Sequence, residues 1–88
     1  MLNFKIGDLI AKKMPNNKKP VQIGIVVKDK KSTFEIKWIW YDKDYFMEKE
    51  GNIFRELNKE VLLRTQQFNR KQTATPLYII NDSYNDGN

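Results

Sequence analysis

The 88-residue chain contains no Cys and no His, is 40% hydrophobic, and carries a formal charge of +5. Without those two residue types it has no disulfide framework, thiolate nucleophile, imidazole base or ordinary zinc site. Only carboxylates and carbonyls remain to hold a metal, and the spacing of Asp42, Asp44, Glu48, Glu50, Glu56 and Glu60 matches no calcium loop. The expectation is a non-enzymatic module without cofactor, metal site or small-molecule substrate.

The charge is unevenly spread. Residues 1–37 sum to +6, residues 38–60 to −2 and residues 61–88 to +1. Most of the basic excess is Lys, which supplies point charge rather than the planar fork of Arg. No apolar run approaches the roughly 20 residues that span a bilayer, and residues 1–5 lack the apolar stretch of a signal peptide. These features predict an intracellular protein with no membrane partner.

In chain order, residues 4–11 are β-prone but broken by Gly7-Asp8, a pair that predicts a tight bend. Residues 12–20 hold four lysines and two prolines and predict an exposed loop. In residues 21–28, Val21, Ile23, Ile25 and Val27 alternate with Gln22, Gly24, Val26 and Lys28, which predicts a strand with one aliphatic row. A polar turn at 29–32 leads to a second alternating strand, 33–41. There Phe34, Ile36, Trp38 and Trp40 are expected on one face and Glu35, Lys37, Ile39 and Tyr41 on the other. The two strands predict a β-hairpin.

Beyond Tyr41 the pattern weakens. Tyr45-Phe46-Met47 reads as a short strand, Glu48 to Asn52 as a turn, and 53–57 as a further strand, with a helix over 53–64 as the competitor. Asn58 is the expected N-cap of one helical turn, with Glu60 near its positive end. Residues 62–65 are the expected closing strand. The polar remainder contains one apolar island, Leu77-Tyr78-Ile79-Ile80, and ends in a tail expected to be disordered. No internal repeat is present.

The opening Phe4-Lys5-Ile6-Gly7-Asp8-Leu9-Ile10, the strand Ile23-Gly24-Ile25-Val26-Val27, the strand Phe34-Glu35-Ile36-Lys37-Trp38 and the stretch from Asn58 to Arg64 together resemble a small Src-homology-3-like barrel. That family includes Tudor, chromo-barrel and KOW-type modules, although Lys19 and Pro20 stand where a KOW motif would carry glycine. The resemblance implies a mainly β chain. Residues 1–65 would form a five-stranded barrel with one short helical turn, and residues 66–88 an extended, partly disordered C-terminal arm. The layout also resembles short phage-encoded barrel proteins, which implies a viral structural or accessory component.

The residues expected to bind another protein or a neighbouring subunit are Trp40, Tyr41 and Tyr45, with Leu77, Tyr78, Ile79 and Ile80 in the arm. Clustered aromatics supply docking area, and an apolar arm can add a strand to a partner's sheet, the alternative for Leu77 to Ile80 being an extra strand packed on the chain's own barrel. Removal of residues 74–88 is then expected to leave the barrel folded. The alternative is non-specific nucleic-acid binding through Lys12, Lys13, Lys18, Lys19, Lys30 and Lys31, with Trp40 stacking on a base. A third reading is a small inhibitor of a host enzyme.

Overall fold

A computed structural model of the chain describes residues 3–16, 18–71 and 76–80. The fold is mainly β, with seven strands and one short helix among these residues: β1 (Leu9–Lys12), β2 (Gln22–Asp29), β3 (Thr33–Tyr41), β4 (Met47–Glu50), β5 (Ile53–Glu56), α1 (Lys59–Leu62), β6 (Thr65–Asn69) and β7 (Leu77–Ile79). Five strands form one antiparallel sheet in the order β6-β3-β2-β1-β7, and β4 and β5 pair separately as a hairpin.

Several elements follow directly from local chemistry. Gly7 adopts φ +93°, and the Asp8 carboxylate accepts from the Lys5 amide at 2.9 Å, so the chain turns there and β1 starts only at Leu9. The β2–β3 hairpin closes through the Lys30 amide donating to the Thr33 carbonyl at 2.9 Å. Asn58 caps α1 as expected, its side chain accepting from the Glu60 amide at 2.8 Å. A helix over 53–64 does not form. Gly51, at φ +64°, turns the chain so that β5 runs back along β4, and the helix is confined to the single capped turn.

Register departs from simple alternation twice. Between β2 and β3 the pairing shifts at Ile23/Gly24, leaving Ile39 unpaired, and again at Val26/Lys28, leaving Val27 unpaired. Each bulge offsets the in-out period by one residue. After Trp38 the expected faces are therefore exchanged: Trp40 points out and Tyr41 is buried.

β2 also faces the opposite way from its aliphatic pattern. Gln22, Gly24 and Val26 are buried, Ile23 and Ile25 are only half-buried, and Val27 is exposed. Gly24 sets this orientation. A Cβ there would lie 2.4 Å from Ile36 Cγ2, 2.8 Å from the Lys37 carbonyl and 2.9 Å from Trp38 Cε3. The Trp38 and Ile36 side chains occupy the space a larger residue would need, so the one position of β2 without a side chain must face them.

The core cluster joins Phe4, Ile10, Val26, Phe34, Ile36, Trp38 and Leu77, with Phe68 and Ile79 packed against it. Phe4 meets Phe34 edge to face at 5.5 Å, and Phe34 stacks on Phe68 at 5.5 Å. Trp38 Nε1 donates to Gln66 Oε1 at 3.0 Å, so its polar edge is satisfied beneath the sheet.

Both edges of the sheet come from the segment expected to be an arm. The closing strand is not 62–65: Leu62 ends α1, and β6 begins at Thr65 and pairs with β3. Its sequence TQQFN places only Phe68 and Gln66 inward, as suits an edge strand. The apolar island forms β7 on β1, with the registers Ile10↔Ile79, Ala11↔Tyr78 and Lys12↔Leu77. Residues 66–71 and 77–80 are therefore integral to the sheet, because Leu77 and Phe68 supply apolar surface that the core needs. The expected disorder of the final residues concerns 81–88, which lie outside the described residues. No helix among the described residues is long and apolar enough to cross a membrane.

Candidate functional site

The outer face of the sheet is built by the same registers that form the core. Directly paired residues of antiparallel strands share a face. Tyr78 pairs with Ala11, Ala11 with Ile23, and Ile23 with Trp40, so these four form one row across β7, β1, β2 and β3. At about 4.8 Å per strand the row is roughly 14 Å long. It has an aromatic ring at each end, Trp40 at 44% and Tyr78 at 50% exposure. A second row runs Leu9, Ile25, Lys37 and Thr65. The Ile80 amide donates to the Leu9 carbonyl at 2.9 Å, which sets half-buried Ile80 beside it.

The bulge at Ile39 adds to this face, leaving Ile39 and Trp40 exposed together. They line a groove of about 260 Å³ with Tyr41, Lys43 and Leu63. Lys13 lies over the Tyr78 ring, its ammonium 5.4 Å from the centroid. Antiparallel sheets commonly pack one face and leave the other polar. Here part of the second face, from Leu9 and Ile25 to Trp40, is apolar as well, while Lys37 and Thr65 continue the second row as polar residues.

Of the residues expected to bind protein, Trp40, Tyr45 and Tyr78 are exposed, and only Trp40 and Tyr78 share the outer row. Tyr41 is buried: its ring meets Phe46 at 6.3 Å, and its hydroxyl donates to the Glu56 carboxylate. That hydrogen bond, aided by burial and the carboxylate charge, pushes the Tyr41 phenol up to about 12. Tyr45 packs on Phe46 at 4.9 Å, away from the row. Leu77 is in the core and Ile79 packs against it, so neither is free to engage a partner. Ile80 is half-buried beside Leu9.

The six lysines do not form one patch. Lys12 belongs to the inner row with Leu77 and Gln22, its ammonium 3.5 Å from Gln22 Oε1, and burial lowers its pKa from the ordinary value. Gln22 in turn donates to the Leu62 carbonyl at 2.9 Å and ties the end of α1 to the sheet. Lys13 sits on Tyr78. Lys18 and Lys19 are exposed beside Asn16 and Asp42 near the start of β2. Lys30 and Lys31 follow its last residue, roughly 23 Å away by strand rise.

Sequence reasoning missed Ile23 and Ile25 as outward-facing residues, and it set Ile39 opposite Phe34, Ile36 and Trp38 without naming it among the binding residues. A Gly within an otherwise aliphatic strand was the available signal for Ile23 and Ile25, because such a Gly marks close packing on its own side. No sequence signal marked the bulge at Ile39. Comparison with protein-family models, curated proteins and solved structures gives no match.

Proposed function

We propose that this chain is a non-enzymatic protein-interaction module, built as a Src-homology-3-like barrel, that docks a partner through the outer face of its sheet. What supports the reading is the row from Tyr78 to Trp40 with Ile39 beside it: exposed Tyr78, Trp40 and Ile39 and half-buried Ile23, with Ala11 fully buried between Tyr78 and Ile23, on a sheet whose other face already holds the core. Aromatic anchors of this kind dominate the centres of protein interfaces. The nearby Lys13, Lys37 and Lys43 favour a partner segment that is apolar with acidic flanks.

Support for the barrel comes from the two sheet edges. Phe68 on β6 and Leu77 on β7 pack on one cluster although three strands separate them, so the sheet curls around its core. The two bulges increase the twist that such curling needs. With β4, β5 and α1 taken as an insertion, three strands meander, the fourth joins the third, and the last returns beside the first.

Affinity capture with the wild-type chain, with Trp40→Glu and with Tyr78→Glu tests the proposal. The wild type should recover one protein partner with or without nuclease, and both variants should lose it. Capture that survives both substitutions, or disappears on nuclease treatment, would overturn the reading.

A further inference from the structure

A second surface lies at the opposite end of β2 from Lys18 and Lys19 and owes nothing to the outer row. The segment before β1, the β2–β3 turn and the residue after β6 enclose a cleft of about 670 Å³. Arg70 forms its floor and is buried. Its Nε donates to the Lys30 carbonyl at 2.9 Å, its Nη1 to the Phe4 carbonyl at 3.4 Å, and its Nη2 to the Asp29 carboxylate. The guanidinium also lies 5.3 Å from the centroid of the Phe34 ring.

These contacts have two consequences. Arg70 neutralises Asp29, the one acid in the lining, and it clamps the segment around Phe4, ahead of β1, to the Lys30 turn. Lys5 is thereby held across the cleft from Lys30 and Lys31. All three lysines are exposed, and their ammonium groups pair with no carboxylate among the described residues. The cleft therefore presents three uncompensated positive charges on a fixed frame.

We propose that this cleft binds the phosphodiester backbone of a nucleic acid, with Lys5, Lys30 and Lys31 each meeting a phosphate and Arg70 as their positioning residue. The lining favours a phosphate chain over an acidic protein. Phe4 is buried, so the cleft offers a partner no exposed apolar anchor of the kind protein interfaces use. It offers ammonium point charges, which recognise a regular line of phosphates without reading sequence.

The test is fluorescence anisotropy of the full chain with a labelled 20-base-pair duplex across a salt series. Three phosphate contacts predict that affinity falls about 40-fold between 50 and 200 mM salt. The Lys30→Gln/Lys31→Gln variant keeps one contact and should lose only about 3-fold over the same range. Lys18→Gln/Lys19→Gln should retain the full 40-fold loss, and Trp40→Ala should bind the duplex as the wild type does. Absence of duplex binding at 50 mM salt would overturn the proposal. So would an unchanged salt dependence in Lys30→Gln/Lys31→Gln. Competition by polyglutamate equal to that of unlabelled duplex at matched charge would reassign the cleft to acidic proteins.

Discussion

The two faces of the five-stranded sheet use similar residues to opposite ends. Inside, Ile36, Trp38 and the Lys37 carbonyl fill the space above Gly24 until no side chain fits there. Outside, Ile23, Ile25, Ile39 and Trp40 are as apolar but stay partly in water. Apolar character alone therefore does not define this core. Complementarity of size does, and the more aliphatic row of β2 is the one left partly in water.

The largest effect should come from the inner face. Phe34→Ala removes a fully buried ring with two aromatic neighbours, and urea unfolding should show a loss of about 4 kcal/mol. Gly24→Val tests the size argument from the other side. The nearest obstacles include the Lys37 backbone, which cannot swing away, so the cost should be about 3 kcal/mol. A mild loss in either variant would break the contrast between the faces. Trp40→Ala, by comparison, should change stability by under about 1 kcal/mol while abolishing partner capture.

The smallest effect concerns the Tyr41–Glu56 hydrogen bond, which ties β3 to the hairpin of β4 and β5. Folding raises the phenol from 10.0 to about 12. The bond's stabilisation is thus complete below pH 10 and is lost as pH rises through 12. The stability advantage of the wild type over Tyr41→Phe should shrink across that window. Urea midpoints measured for both proteins would reveal it, and a constant difference would show that the bond contributes nothing.

Much of the local architecture was legible. The bend at Gly7, the β2–β3 hairpin and the Asn58 cap all depend on neighbouring residues, and their chemistry is written in the sequence. The facing of β2 was not legible, because it depends on the volume of Trp38, fourteen positions away. One unpaired residue at Ile39 exchanged the fates of Trp40 and Tyr41, and no propensity marks that position. β6 was hidden because an edge strand needs little apolar content. The candidate site was half visible: Trp40 and Tyr78 stand out as aromatics, but only the register puts them in one row.

The position of β7 has a consequence for how the molecule is made. β1 lies between β2 and β7, and its outer hydrogen-bonding edge is covered by residues 77–79. During synthesis that edge is formed well before its partner strand, so the nascent sheet carries an open, apolar template until residues 77–79 have been made. Contacts between residues so far apart also slow closure. Removal of residues 74–88 should accordingly produce aggregation rather than a folded, arm-less barrel. The segment that carries β7 acts as a latch on folding, and proteolysis ahead of residue 77 would turn the closed sheet edge into a seed for strand exchange.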